Sequence, residues 1–348
     1  MKKSQHVKTI FRRLIAYVSV IVLLGSISPI SADTSKKTKV NFRPVIGVFS
    51  QDTSTITGSS TIDPEVKAEL EAYRYLIPVS YVTWIEQAGG RALPILLNQP
   101  PEYYWQIFAK TNGILFPGGN QGIDPDDIYT DEGEILWKLA KQANDRGDYY
   151  PIWGTCLGFE ELSVLETGNG DVISLDVKAT NLALPLRLTP GAINSRLFRS
   201  FPADLIRALR SQAITFNSHD HGLLVSEYES NSQVHDFFEM LSYNATPSGQ
   251  LFVSTMESRD YPFYGTQWHP EKNNFEWSQN ADYSNIPHSL TAIAASQATA
   301  QFFVNEARKS SHIFPEVQRD ELIYSGKVIY TGKEDWIYEQ VYVFVPKL

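Results

Sequence analysis

Apolar positions along this chain fall into two rhythms. Short unbroken apolar runs, rich in β-branched and aromatic residues, occur at residues 44–49, 91–97, 113–116 and 150–153. Each predicts a buried strand. Helical spacing separates them. Residues 80–88 predict a helix with Ser80 as N-cap and Gly89-Gly90 as its stop. Residues 102–110 predict a short helix. Residues 131–146 predict a longer one, with Ile135, Leu136, Leu139 and Ala143 on one face and Gly147 closing it. Strands alternating with helices indicate an α/β fold, a central and mostly parallel sheet with helices on both faces. Residues 184–254 carry mixed signals. Residues 289–310 predict a final helix rich in Ala and Gln. After Pro315 the pattern turns to alternating strands at 328–330 and 336–345, split by Thr331-Gly332-Lys333, which predicts a terminal hairpin or edge addition. No long linker interrupts residues 44–348, so they read as one domain with a C-terminal strand extension from about residue 315.

The first 32 residues belong to a different pattern. Lys2, Lys3, Lys8, Arg12 and Arg13 precede an apolar run at 14–27, and the small polar stretch Ser28-Pro29-Ile30-Ser31-Ala32 follows. That is the order of a secretory signal peptide. The run is shorter than the roughly 20 apolar residues that span a bilayer. The reading is therefore a cleaved leader rather than a stable membrane span, with a short linker at 33–43. It places the protein in the secretory pathway, either extracellular or in a lysosome or vacuole.

Composition narrows the function classes. The chain has 348 residues and a net charge of −9. Loss of residues 1–32 removes five basic residues and no acid, which moves the charge to −14. No basic face for nucleic acid is expected on such a chain. There is one cysteine, so no intrachain disulfide can form. With seven histidines and a single thiol, no metal-ligand spacing is present and no cofactor is called for.

The lone cysteine stands in Gly154-Thr155-Cys156-Leu157-Gly158, between a predicted strand and a predicted helix. This is the thiol version of the nucleophile elbow, whose flanking glycines allow close chain approach around a strained turn. A helix beginning beside Cys156 would favour the thiolate. The Leu157 N–H could serve as one oxyanion donor. A nucleophilic thiol needs a base. Gln267-Trp268-His269-Pro270-Glu271 supplies His269 at a strand end, with Glu271 to orient the ring. Phe116-Pro117-Gly118-Gly119 ends another strand, and an N–H of Gly118 or Gly119 could face the same oxyanion.

These motifs, in this order, resemble the class I glutamine amidotransferase fold. The wording of Gly147-Asp148-Tyr149-Tyr150-Pro151-Ile152-Trp153-Gly154-Thr155-Cys156-Leu157-Gly158-Phe159-Glu160-Glu161-Leu162 and of Phe302-Phe303-Val304-Asn305-Glu306-Ala307-Arg308-Lys309 is similar to the γ-glutamyl hydrolases. The similarity runs from Pro44 to Gly332. It implies a Cys156 nucleophile, a His269 base and acid, and a supporting Glu271. It further implies Glu160 near the glutamyl group, His219 as a second cleft histidine and Tyr81 beside the cleft. The implied reaction is hydrolysis of γ-glutamyl bonds in folylpoly-γ-glutamates, with a homodimer implied by the same resemblance. A general γ-glutamyl peptidase or amidase, a glutaminase subunit and a non-catalytic binding protein are the rival readings. Arg187, Lys178 and Lys272 stand near the motifs as groups that could offset an anionic substrate. One sequon, Asn244-Ala245-Thr246, predicts a surface position for glycosylation.

Overall fold

The computed structural model describes residues 40–57, 62–332 and 336–345. The leader expected at 1–32 and most of the linker at 33–43 lie outside the described residues. Residues 39–348 cluster as one compact unit. The first strand, β1 (Val45–Phe49), alternates its side chains between two apolar cores. Val45 and Phe49 enter one, and Ile46 and Val48 the other. A strand buried on both faces is the signature of a sheet covered by helices on each side.

The main sheet has eight strands. Its parallel half is β4 (Arg91–Ile95), β1, β5 (Ile114–Phe116), β6 (Ile152–Thr155) and β12 (Phe263–Thr266), in that spatial order. Its antiparallel half continues from β12 through β11 (Leu251–Ser258) and β10 (Phe238–Ala245) to β8 (Arg187–Leu188). The helix after β4 spans Pro101–Lys110, and the next spans Ile128–Asp145. The latter begins three residues earlier than its apolar face suggested. Its buried stripe is Gly133, Leu136, Trp137, Ala140 and Ala143, while Ile135 and Leu139 are half-buried. The last helix, Leu290–Ala307, starts as expected at Ser289, whose hydroxyl accepts from the Ala292 N–H.

Two sequence expectations change. The helix at Val79–Glu86 is capped by Pro78, not Ser80. Pro78 has an extended backbone and no side-chain cap, and Ser80 is buried inside the first turn. The C-terminal hairpin does not extend the main sheet. Strands β13 (Lys327–Tyr330) and β14 (Gln340–Phe344) build a second, antiparallel sheet with β3 (Tyr75–Pro78) and β2 (Gln51–Asp52), in the order β13-β14-β3-β2. The final strand is therefore an inner one, held between β13 and β3.

Candidate active site

Four parallel strands end at the same edge of the main sheet, and each delivers one part of the site. After β1 comes Gln51, after β5 the Pro117-Gly118-Gly119 turn, after β6 Cys156, and after β12 His269. The carboxyl ends of parallel strands are where open α/β sheets gather functional groups.

Cys156 has φ 52° and ψ −110°, a left-handed backbone that costs strain for a side chain with a Cβ. The turn explains its glycines. A Cβ on Gly154 would fall 2.3 Å from the Gly158 carbonyl oxygen. A Cβ on Gly158 would fall 2.0 Å from the carbonyl oxygen of Phe116. The helix at Leu157–Thr167 follows directly. The sulfur lies 4.0 Å from the Ser218 carbonyl oxygen.

His269 and Glu271 are both buried, and Nδ1 of the ring meets Glu271 Oε1 at 2.7 Å. That bond makes Nδ1 the protonated nitrogen and leaves Nε2 as the basic one. The space where Gly118 lacks a side chain is bounded by the Tyr81 hydroxyl, His269 Cε1 and Cys156 Cβ, at 2.6, 2.8 and 3.1 Å from an ideal Cβ. Cysteine, histidine and the glycine turn thus close around one small volume. Tyr81 is fully buried, and its hydroxyl accepts the Gly118 N–H at 2.8 Å. This occupies one of the two glycine N–H groups expected at an oxyanion. Gly119, not Gly118, lines the cavity.

Burial sets the protonation states. The Cys156 thiol is pushed well up, first by burial and then by Glu160 and Glu271, against a smaller lowering by the Leu157 N–H. The helix start therefore does not produce the resting thiolate that the sequence suggested. Desolvation outweighs the helix dipole here. Burial also lowers His269, against the pull of Glu271, so the ring rests neutral. Burial opposes the Glu271 charge, but His269 and Lys272 beside it hold the carboxyl below its ordinary value.

Glu160 is buried, accepts a hydrogen bond from Gln267 Nε2 at 2.8 Å, and is raised to about 7 by burial. His219 is buried too. Its Nδ1 donates to the His221 carbonyl at 2.7 Å, and burial lowers it to about 4. Its Nε2 is a buried lone pair without a hydrogen-bond partner.

A cavity of about 530 Å³ opens over these groups. Cys156, Leu157, Gly119, Glu160, His219 and His269 line it, as predicted site residues. So do Asp220, Asp282, Tyr283, Trp336 and Tyr338, which the sequence reading did not single out. The last two come from the segment leading into β14, and the alternation that marked this segment as a strand carried no sign of the cavity. No Lys or Arg is among the described lining residues. Lys178 is exposed and paired with Asp176, and Arg187 is exposed on β8. Lys272 alone is central. It is fully buried, with Nζ 4.4 Å from the centre of the Tyr338 ring.

Asn244 is not at the surface. It is 3% exposed within β10. Its Nδ2 donates to the Pro185 carbonyl at 2.7 Å, and its Oδ1 accepts from the Ser254 hydroxyl at 2.7 Å. The folded chain does not present this sequon to a glycan. A strand position buried from both sides overrides the three-residue pattern.

The family model described as Peptidase C26 matches residues 44–182. The γ-glutamyl hydrolase of Homo sapiens is 39% identical over 315 residues, which cover 90% of this chain and 91% of that protein. γ-Glutamyl hydrolase B of Dictyostelium discoideum is 38% identical, over 88% of this chain and 84% of that one. γ-Glutamyl hydrolase 1 of Arabidopsis thaliana is 34% identical, over 92% and 87%. A solved glutamine amidotransferase from Thermotoga maritima aligns with 77% of this chain and 96% of its own, at 11% identity and a TM-score of 0.38. At 34 to 39% identity over 88 to 92% of its length to these curated relatives, the chain belongs to the γ-glutamyl hydrolase family.

Proposed function

We propose that this chain hydrolyses γ-glutamyl amides with Cys156 as nucleophile. The observation that carries the reading is the convergence of a strained cysteine, a carboxylate-anchored histidine and a glycine turn on one cavity. The substrate is a small molecule with a γ-glutamyl bond. The resting pair is neutral. Nε2 of His269 takes the thiol proton as the sulfur attacks the γ-carbonyl carbon, and the carbonyl oxygen becomes an oxyanion. The Leu157 and Gly119 N–H groups receive that charge. The imidazolium then gives its proton to the leaving nitrogen, the C–N bond breaks, and a thioester remains. Water, deprotonated by His269, attacks the thioester and restores the thiol. Glu271 keeps the ring oriented and stabilises its charged form, as the carboxylate of a catalytic triad does.

The glutamyl portion fits beside Glu160 and His219, which line the cavity with Cys156. Folylpoly-γ-glutamates are the substrates this reading favours. One observation supports a second class, γ-glutamyl compounds with little negative charge. The cavity is lined by Glu160, Asp220 and Asp282 and by no described Lys or Arg. Acid lessens the conflict for polyglutamate, since Glu160 loses its charge below about 7. We assign residues 1–32 to secretory targeting on their charge and apolar pattern. Among the described residues no helix is long and apolar enough to cross a membrane.

The test is a product time course with pteroyl-pentaglutamate and with a neutral γ-glutamyl anilide, at acidic and neutral pH, beside Cys156→Ala. Loss of all cleavage in the variant supports the mechanism. Retention of cleavage would remove Cys156 from it. The ratio of the two substrates decides between the classes.

A further inference from the structure

Gln51 is fully buried at the start of β2, and no motif pointed to it. Its Nε2 donates to the Gly118 carbonyl oxygen at 2.6 Å. On the other side of the same residue, the Gly118 N–H donates to Tyr81 at 2.8 Å. Gly118 is therefore clamped at both of its backbone polar groups. The Gln51 amide also lies flush against Gly119, where an added Cβ would fall 1.8 to 2.4 Å from its atoms. The Gly118–Gly119 peptide is trans, as every described bond is. In a trans peptide the C=O and the following N–H point in opposite directions. With the Gly118 oxygen fixed on Gln51, the Gly119 N–H is aimed away from Gln51. Gly119 lines the cavity beside Cys156.

We propose that Gln51 is the positioning residue that orients the Gly119 N–H as an oxyanion donor. Resting on the cysteine-hydrolase reading, this adds a residue that touches neither thiol nor substrate and acts through one peptide plane. The other end of the side chain strengthens the argument. Gln51 Oε1 is buried without a hydrogen-bond partner. A buried unpaired carbonyl is costly, and here the same side chain supplies the one donor that the Gly118 oxygen receives. Without that donor the peptide is free to rotate, and the cavity then faces an oxygen where it needs an N–H.

The experiment uses the full-length protein, a γ-glutamyl anilide and iodoacetamide. Alkylation by iodoacetamide develops no oxyanion, so it reports the thiol and its base without the glycine turn. Gln51→Met keeps the shape and removes the donor. Its kcat falls by about 100-fold, the scale of a displaced oxyanion donor. KM stays within about threefold, and the alkylation rate of Cys156 within about twofold, because the thiol and the ground-state contacts are untouched. Gln51→Glu supplies a second arm should the first variant fail to fold. Its carboxyl donates to the Gly118 oxygen only when protonated, so its kcat relative to the parent rises as pH is lowered. Cys156, His269, Glu271 and Tyr81, which surround the glycine turn, are common to both proteins and cancel in that ratio. A kcat within about twofold of the parent in Gln51→Met, a parallel fall of kcat and alkylation, or a pH-independent ratio in Gln51→Glu would each overturn the proposal. A parent protein that alkylates but turns over no γ-glutamyl compound overturns the hydrolase reading itself, and the proposal with it.

Discussion

Nδ1 of His269 stands 2.7 Å from Oε1 of Glu271, and both side chains are out of water. The two residues are separated only by Pro270, whose fixed φ leaves little freedom for the chain between them. The pair is therefore a rigid unit. Glu271→Gln would leave its shape and remove the charge that favours imidazolium. The expected loss is about 10²- to 10⁴-fold in kcat with a smaller change in KM, read by steady-state kinetics. A variant with kcat near that of the parent would show that the ring needs no carboxylate.

The Cys156 thiol is held up in part by the charge of Glu160. Glu160→Gln removes that charge, so alkylation of Cys156 by iodoacetamide at pH 8 is expected to quicken. The gain fades as pH falls below about 7, where the parent's own Glu160 takes up a proton. A pH profile of alkylation rates for the two proteins checks both the direction and the point of convergence.

Among the described residues, burial raises the fully buried carboxyls Glu160 and Glu276 to about 7 and Glu161 to about 8. A carboxyl that holds its proton more tightly when folded contributes stability that is complete in acid below its unfolded value. That contribution is lost as pH rises toward its folded value. Glu161→Gln is expected to gain on the parent by roughly 1 kcal/mol per pH unit between pH 5 and 8. Denaturant melts at the two pH values test this, and a constant difference between the proteins contradicts it.

Gly158 faces the main chain of β5, with 2.0 Å between an added Cβ and the Phe116 oxygen. Backbone cannot move aside as a flexible side chain can. Gly158→Ala is expected to cost about 3 kcal/mol or more of stability, measured by chemical denaturation.

The Asn244 amide closes a hydrogen-bonded chain from Pro185 to Ser254. Asn244→Ala is expected to lower stability by about 2 kcal/mol, because buried partners lose their bonds. Endoglycosidase treatment of the parent, expressed in a glycosylating host, should change its mass by nothing at this position. A glycopeptide bearing Asn244 in a mass spectrum would contradict that.

The parallel half of the fold was legible because its strands are buried on both faces and so read as unbroken apolar runs, as at Val45–Phe49. Cys156 and His269 were legible because glycine spacing and strand ends are local signals. Other features depend on distant partners. The resting state of the thiol follows from burial, which no residue beside Cys156 announces. The alternation near the C-terminus marked strands correctly, but nothing local told which sheet they would join. Gln51 contacts Gly118 across 67 positions of sequence, and its one visible cue was its place just past the end of β1.

The inner position of β14 has a consequence for the timing of activity. Synthesis proceeds from the N-terminus, and domains assemble as their parts emerge. Cys156 and His269 exist well before the chain is complete. Strand β3, which pairs with the Gln51 strand β2 and leads into the Tyr81 helix, gains its second neighbour only when residues 340–344 have left the ribosome. Trp336 and Tyr338 complete the cavity wall at the same moment. A chain still being made carries Cys156 and His269 before the Trp336 and Tyr338 side of the cavity exists. Completion of the cavity wall is thereby tied to the most C-terminal strand among the described residues.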